Sequence, residues 1–186
     1  MILILNGSPR KNGVSTRVLR AIEAGMSNDS VEWVDVNDLA IKPCIGCLKC
    51  RPDKVCVLPQ DDAHRVGELL RACTALVVGS PTYWGNVTGP LKLLFDRNVP
   101  TLEYIDGGIP KPNHRGKKAV VVVASAAPFP FNLLPSQSGG AVRALRTVLR
   151  GSGFRIARTI NVPNTRRSER VEERVLARAR AVGQRL

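Results

Sequence analysis

Two stretches of this chain, residues 75–79 and 119–124, are apolar without interruption. A strand with one face in water alternates polar and apolar residues, so an unbroken run needs cover on both faces, as in a parallel sheet held between helix layers. Three further runs at 2–5, 31–36 and 154–162 also read as strands. Helical patterns fall between and after them, at 15–26, 61–72, 89–96, 139–149 and 168–185. Ser15 or Thr16, Asp61 and Ser168 stand where N-caps are needed, and Glu169, Glu172 and Glu173 put acids in the first turn of the last helix. Five β/α repeats with short links predict an α/β fold, a doubly wound parallel sheet with right-handed crossovers. No linker, repeat or low-complexity tract divides the chain, so residues 1–186 read as one domain.

Several classes are disfavoured by composition. Hydrophobic residues make up 44% of the 186 positions, too many for a disordered chain. No apolar stretch approaches the ~20 residues of a membrane span. The chain opens directly on a strand pattern rather than on a basic segment and an apolar stretch, and so reads as lacking a secretory signal. Five cysteines in that context favour reduced thiols or metal ligation over disulfides, and a cytoplasmic location is expected. The formal charge is +13, and nine of that surplus comes from residues 137–186, which carry twelve Arg against three Glu. Such a half could attract nucleic acid, but no aromatic interleaving or nucleic-acid motif accompanies it, and an Arg-rich helical surface is the simpler reading.

In an open α/β sheet, ligands sit beyond the carboxyl ends of the strands, where the strand order reverses. The loop after the first strand reads Gly7-Ser8-Pro9-Arg10-Lys11-Asn12-Gly13-Val14-Ser15-Thr16. It lacks the Gly-Lys-Ser/Thr ending of a nucleotide triphosphatase loop and lacks G-x-G-x-x-G. It offers instead hydroxyls at Ser8, Ser15 and Thr16, a guanidinium at Arg10, turn formers at Asn12 and Gly13, and backbone N–H groups entering a helix. That set suits a single dianionic phosphate monoester, although a turn that merely caps the helix would use the same residues. After the third strand comes Ser80-Pro81-Thr82-Tyr83-Trp84-Gly85-Asn86. An aromatic pair held between Pro81 and Gly85 can serve a flat heterocycle as a platform, or can cap the core beneath.

With these two loops, N-G-S-P-R-K-N-G-V-S-T and S-P-T-Y-W-G-N-V-T-G-P-L-K, the sequence resembles the flavodoxin-like NAD(P)H-dependent FMN reductases and quinone reductases. The resemblance implies a five-stranded sheet of order 2-1-3-4-5. It implies FMN, with NAD(P)H as cosubstrate, Ser8, Arg10, Ser15 and Thr16 at the phosphate, and Pro81, Thr82, Tyr83, Trp84, Gly85 and Asn86 along the ring. Amides near Gly85 and Asn86 would reach the ring's polar edge, and the turn Ser125-Ala126-Ala127-Pro128 would close its other side. No catalytic side chain is implied, because the flavin N5 carries the chemistry. The same likeness implies a homodimer or higher homo-oligomer, with a small-molecule electron acceptor or a redox protein as partner.

Four cysteines, Cys44, Cys47, Cys50 and Cys56, form a C-x2-C-x2-C-x5-C run within the long loop 40–60. Four thiolates serve tetrahedral zinc, an iron–sulfur cluster, or simply free or redox-active thiols. Three close cysteines plus one are nearer to 4Fe-4S spacing than to paired zinc knuckles, and the run is similar to the compact motif of the iron–sulfur flavoproteins. Cys73, outside the run, reads as a small buried hydrophobe. His64 reads as part of a solvated helix face. His114 lies in a second long segment, 100–115, expected to be a loop and a place from which it could approach a substrate. The expected function is FMN-dependent electron transfer from NAD(P)H or a protein donor to a quinone-like or protein acceptor. The alternative is a non-catalytic redox or regulatory binding module on the same fold.

Overall fold

The structure is a computed structural model that describes residues 1–27, 30–50, 55–166 and 170–186. Its main sheet is fully parallel and contains β1 (Ile2–Asn6), β2 (Val31–Asp35), β3 (Ala75–Pro81), β6 (Lys118–Ala124) and β7 (Arg155–Val162). The order is β2-β1-β3-β6-β7. Discounting a small hairpin between β3 and β6, this is the expected 2-1-3-4-5 arrangement.

Alternate residues of each central strand feed opposite layers. Leu3, Leu5, Val121 and Val123 join one core, with Val66 and Leu70 of α2 (Asp62–Ala72), Leu91 and Leu94 of α3 (Gly89–Arg97), and Leu145 and Leu149 of α5 (Ser138–Gly151). Ile2, Ile4, Val120 and Val122 join the other, under Leu19 and Ile22 of α1 (Val14–Gly25) and Ala179 of α6 (Glu173–Gly183). Cover on both faces is why these strands lack polar alternation. Helices α1 and α6 pack backbone to backbone: a Cβ added at Gly183 would lie 2.0 Å from the Ile22 carbonyl oxygen.

The expected loop 100–115 has its own structure. A short helix α4 (Val99–Leu102) leads into an antiparallel hairpin of β4 (Glu103–Asp106) and β5 (Ile109–Pro112). Its two-residue turn, Gly107-Gly108, has φ of 58° and 79°, the pair of positive values that a tight hairpin turn needs. The first helix also starts earlier than its hydroxyls suggested. Gly13 is its N-cap, in extended conformation and without a side-chain cap bond, while Ser15 and Thr16 are buried within the first turn. Asp61 does cap α2. Ser168 and Glu169, assigned above to the start of the last helix, lie outside the described residues.

Candidate functional site

The strand order reverses between β1 and β3, and the loops leaving them are tied together at that point. The Gly7 N–H donates to the Gly79 carbonyl (2.8 Å), and the Thr88 hydroxyl donates to the Gly7 carbonyl (2.8 Å). Further along the edge, Thr82 N–H bonds Ala124 O (2.8 Å) and Ser125 N–H bonds Val162 O (2.9 Å). One hydrogen-bonded row therefore positions all three candidate loops.

The first loop is organised by Asn6, which is fully buried. Its amide donates to Asp35 Oδ1 (2.7 Å), and its carbonyl oxygen accepts from the Ser8 N–H (3.2 Å) and lies 3.3 Å from the Thr16 hydroxyl. Burial opposes the charge on Asp35, but the Asn6 amide and the Lys11 ammonium hold its carboxyl below the usual carboxylate range. Ser8 Oγ accepts from the Arg10 N–H (3.2 Å), and the Thr16 hydroxyl donates to the Arg10 carbonyl (2.9 Å). Ser8, Ser15 and Thr16 are thus brought together around the start of α1, while Arg10 and Asn12 project at the exposed rim. No side chain caps this helix, so its first-turn N–H groups face the loop with their positive end of the dipole uncompensated. An uncapped helix start, a guanidinium and three nearby hydroxyls, those of Ser8 and Thr16 here turned to the Arg10 carbonyl, form a set of groups that fits a phosphate monoester.

The second loop is a tight turn. Tyr83 and Asn86 exchange both backbone hydrogen bonds at 2.9 Å, across Trp84 and Gly85 with φ of 52° and 71°. Glycine is needed at 85 twice over: for the positive φ, and because a Cβ would lie 2.7 Å from the Pro135 carbonyl oxygen. Trp84 is fully exposed and Tyr83 about half so, which rules out the reading that they cap the core. The expectation for Asn86 needs correction: its N–H is engaged by Tyr83 O, and its side chain accepts from Val87 N–H (2.8 Å). The N–H groups of Trp84 and Gly85 carry no backbone bond among the described residues. Thr82 Oγ1 is buried with no partner among those residues, a donor–acceptor left over at the strand end. In the third loop the Ser125 hydroxyl accepts from Ala127 N–H (3.2 Å) and shapes the turn, while Ala126 is exposed.

The four cysteines of the run line one 210 Å³ cavity, largely apolar, walled by Ile45, Leu48, Val57 and Leu58 and by Tyr104 and Ile105 of the hairpin. Cys44 and Cys47 are exposed; Cys50 and Cys56 are half-buried. Burial pushes the Cys50 thiol up, and the neighbouring Cys56, Cys47 and Cys44 add to that. Among the described residues no three His, Cys, Asp or Glu side chains are drawn close enough to hold an ion. The donor set, four thiols lining a common space, fits four-thiolate ligation of a cluster or metal.

Neither histidine is where the sequence suggested. His64 completes a capping box: Asp61 N–H donates to its Nδ1 (3.1 Å), so Nε2 carries the proton and donates to the Cys56 carbonyl (3.1 Å). His114 is buried, stacked on Phe154 and bonded through Nε2 to the Thr101 carbonyl (3.1 Å), far from a substrate role. Burial, with the Lys117 charge, lowers its pKa to about 4. Cys73 is buried as expected, and burial pushes its thiol up.

Asn6, Thr88 and Arg97 escaped the sequence reading. Arg97 lies on α3 with its guanidinium entirely buried and lines the thiol cavity. The signal for Asn6 was present, a polar residue closing an otherwise apolar strand. For Arg97 none was, because its partners are distant in the chain.

This sheet, with its site at the β1/β3 reversal, defines a flavodoxin-like α/β protein. The solved NAD(P)H:quinone oxidoreductase from Methanothermobacter marburgensis superposes with a TM-score of 0.77 over 98% of this chain and 96% of its own, at 19% identity. The model of the NADPH-dependent FMN reductase family matches residues 1–164, and the chain belongs to that family. Among curated relatives, an iron–sulfur flavoprotein of Clostridioides difficile (strain 630) is 31% identical over 135 residues, covering 67% of this chain and 60% of its own length. Another, from Methanocaldococcus jannaschii, is 30% identical over 101 residues, covering 53% of this chain and 52% of its own. The chain therefore spans little more than half the length of these relatives. Among the described residues, no helix is long and apolar enough to cross a membrane.

Proposed function

We propose that this protein is a single-domain FMN-dependent oxidoreductase. It takes electrons from NAD(P)H or a protein donor and passes them to a quinone-like molecule or a redox protein, with a 4Fe-4S cluster in the cysteine loop. The observation that carries the reading is the uncapped N-terminus of α1. Its amides open onto the loop that carries Ser8, with Ser15 and Thr16 in the helix's first turn, and that loop is tied to the Trp84 turn through Gly7, Gly79 and Thr88.

Those hydroxyls and Arg10, with the turn shaped by Asn12 and Gly13, would hold the FMN phosphate. Pro81, Thr82, Tyr83, Trp84, Gly85 and the Asn86 side chain would border the ring. Ser125 and Ala126 would close its far side. The Trp84 and Gly85 N–H groups, which have no backbone partner among the described residues, are the donors available to a polar ring edge. When bound, FMN supplies two-electron acceptance from a nicotinamide and one- or two-electron delivery to an acceptor. The protein's part is to orient the ring and exclude water behind it. Cys44, Cys47, Cys50 and Cys56 would ligate the cluster, which supplies single-electron transfer to the surface. Family membership and the iron–sulfur flavoproteins among the relatives support both parts. A cytoplasmic homo-oligomer completes the proposal.

The test is the visible spectrum of anaerobically purified protein, with iron and acid-labile sulfide assays on the same sample. Flavin bands over a broad shoulder, with about four irons per chain, are expected. Flavin without iron would leave an FMN reductase with spare thiols. Neither chromophore, even after added FMN, would overturn the proposal and favour a non-catalytic binding module.

A further inference from the structure

The two limbs of the cysteine loop meet at one buried guanidinium. Arg97 donates through one terminal nitrogen to the Lys42 carbonyl (2.6 Å) and to Asp61 Oδ2 (2.6 Å), and through the other to Asp61 Oδ1 (3.1 Å). Lys42 lies two residues before Cys44 and Asp61 five after Cys56. Asp61 Oδ2 also accepts from the Lys42 N–H (3.1 Å), so both backbone groups of Lys42 are fixed by this pair. His64, bonded to Asp61, reaches the Cys56 carbonyl, so the same assembly fixes the backbone of the last cysteine. The two ends of the cysteine segment, at Lys42 and at Cys56 to Asp61, are thereby held by charge-assisted bonds in a buried setting, where they are strongest.

Two of the five N–H donors of Arg97 are not used by these bonds, and one of them, on Nε, is buried and has no partner among the described residues. A buried guanidinium N–H left unmade is costly, and such an orphan points to a group that the structure does not hold. Arg97 is also the only cation among the described residues lining the thiol cavity. Asp96 and Glu103 line it too, Asp96 being paired to Lys92 (2.6 Å).

We propose that Arg97 is a positioning residue for the thiol centre: with Asp61 it clasps both limbs of the loop so that the four thiols face one space before any metal arrives, and its Nε–H donates to a thiolate sulfur once they are ligated. The first half stands on the loop geometry alone; the second rests on the cluster reading above.

The clasp is tested on reduced, metal-free, FMN-loaded protein by timed alkylation of each cysteine, read by mass spectrometry. Arg97→Met strands Asp61 and risks the fold; Arg97→Lys keeps a cation opposite Asp61 but lacks the planar fork. Arg97→Lys should alkylate at Cys50 and Cys56 about ten-fold faster than the parent protein, the consequence of removing one charge-assisted bond of roughly 1.4 kcal/mol, and Arg97→Met, which loses all three bonds, should be faster still. Cys73 should stay unreactive and FMN bound, showing that the fold is intact. Equal rates within two-fold in a folded Arg97→Lys protein would overturn the clasp. The second half is read on reconstituted protein: the Arg97→Lys cluster should show a more negative midpoint potential, since hydrogen bonds to the sulfurs raise it. An unchanged potential would overturn the Nε–H assignment. Failure of the parent protein to take iron would overturn the cluster reading, and with it the second half, while leaving the alkylation result to decide the clasp.

Discussion

The rings of His114 and Phe154 lie stacked, their centroids 4.6 Å apart and their planes 12° from parallel. Phe154 belongs to the core beneath α5, so the stack pins the segment after the hairpin to the sheet edge. A protonated imidazole would be desolvated here, with Lys117 nearby and its Nδ1 without a partner among the described residues. Its folded pKa is about 4 against 6.5 in the unfolded chain. Between those values the unfolded chain binds the proton and the folded one does not. The contribution is therefore complete above pH 6.5 and declines as pH falls toward 4. Urea unfolding should lose on the order of 2 kcal/mol over that window, and His114→Gln should flatten the slope there. Parallel slopes for the two proteins would contradict this.

Arg10 stands at the rim of the first loop, where its removal should leave the fold alone. Arg10→Ala should weaken FMN binding by about ten- to a hundred-fold, the worth of a charge-assisted contact, with an unchanged thermal midpoint. An unchanged dissociation constant, measured by flavin fluorescence, would refute the phosphate assignment.

Trp84 is fully exposed, so Trp84→Ala should shift stability by less than about 0.5 kcal/mol. FMN titration should quench tryptophan emission in the parent protein. In the variant most of that quenching should vanish, since the other tryptophan, Trp33, lies on β2. Undiminished quenching would place the ring elsewhere.

Cys47→Ser should abolish iron uptake on anaerobic reconstitution and leave FMN binding intact. Full iron content in the variant would remove Cys47 from the ligand set.

Gly183 touches α1 through its missing side chain, so Gly183→Ala must push α6 outward from Ile22. A loss of roughly 1–3 kcal/mol in urea unfolding is expected, with no effect on FMN affinity in the folded state. An unchanged denaturation midpoint would show that the helix end yields freely.

The strands were legible because their cover is. Runs such as Val120 to Val123 have no reading other than burial on both faces, and the turn residues between runs mark the loops. The hairpin was not, because Pro110 and Pro112 argue against a strand. They are tolerated in this ribbon because they pair opposite Ile105 and Glu103, on alternate rungs, leaving Lys111 and Ile109 to supply the donors. The cap of α1 was misplaced because a hydroxyl at Ser15 looks like a cap from sequence, whereas Gly13 in extended backbone starts the helix sooner. The thiols announced themselves by spacing. Their clasp did not, since Lys42, Asp61 and Arg97 come together only once α3 has packed against the loop.

An uncapped first helix also bears on how long the chain survives. A ligand that completes that helix end stabilises the folded state by mass action, about 2.7 kcal/mol at a hundred times its dissociation constant. Molecules made when such a ligand is scarce would open more often and meet proteases sooner. The pool of intact protein would then track cofactor supply, and abundance would be set at the start of α1 as well as by synthesis.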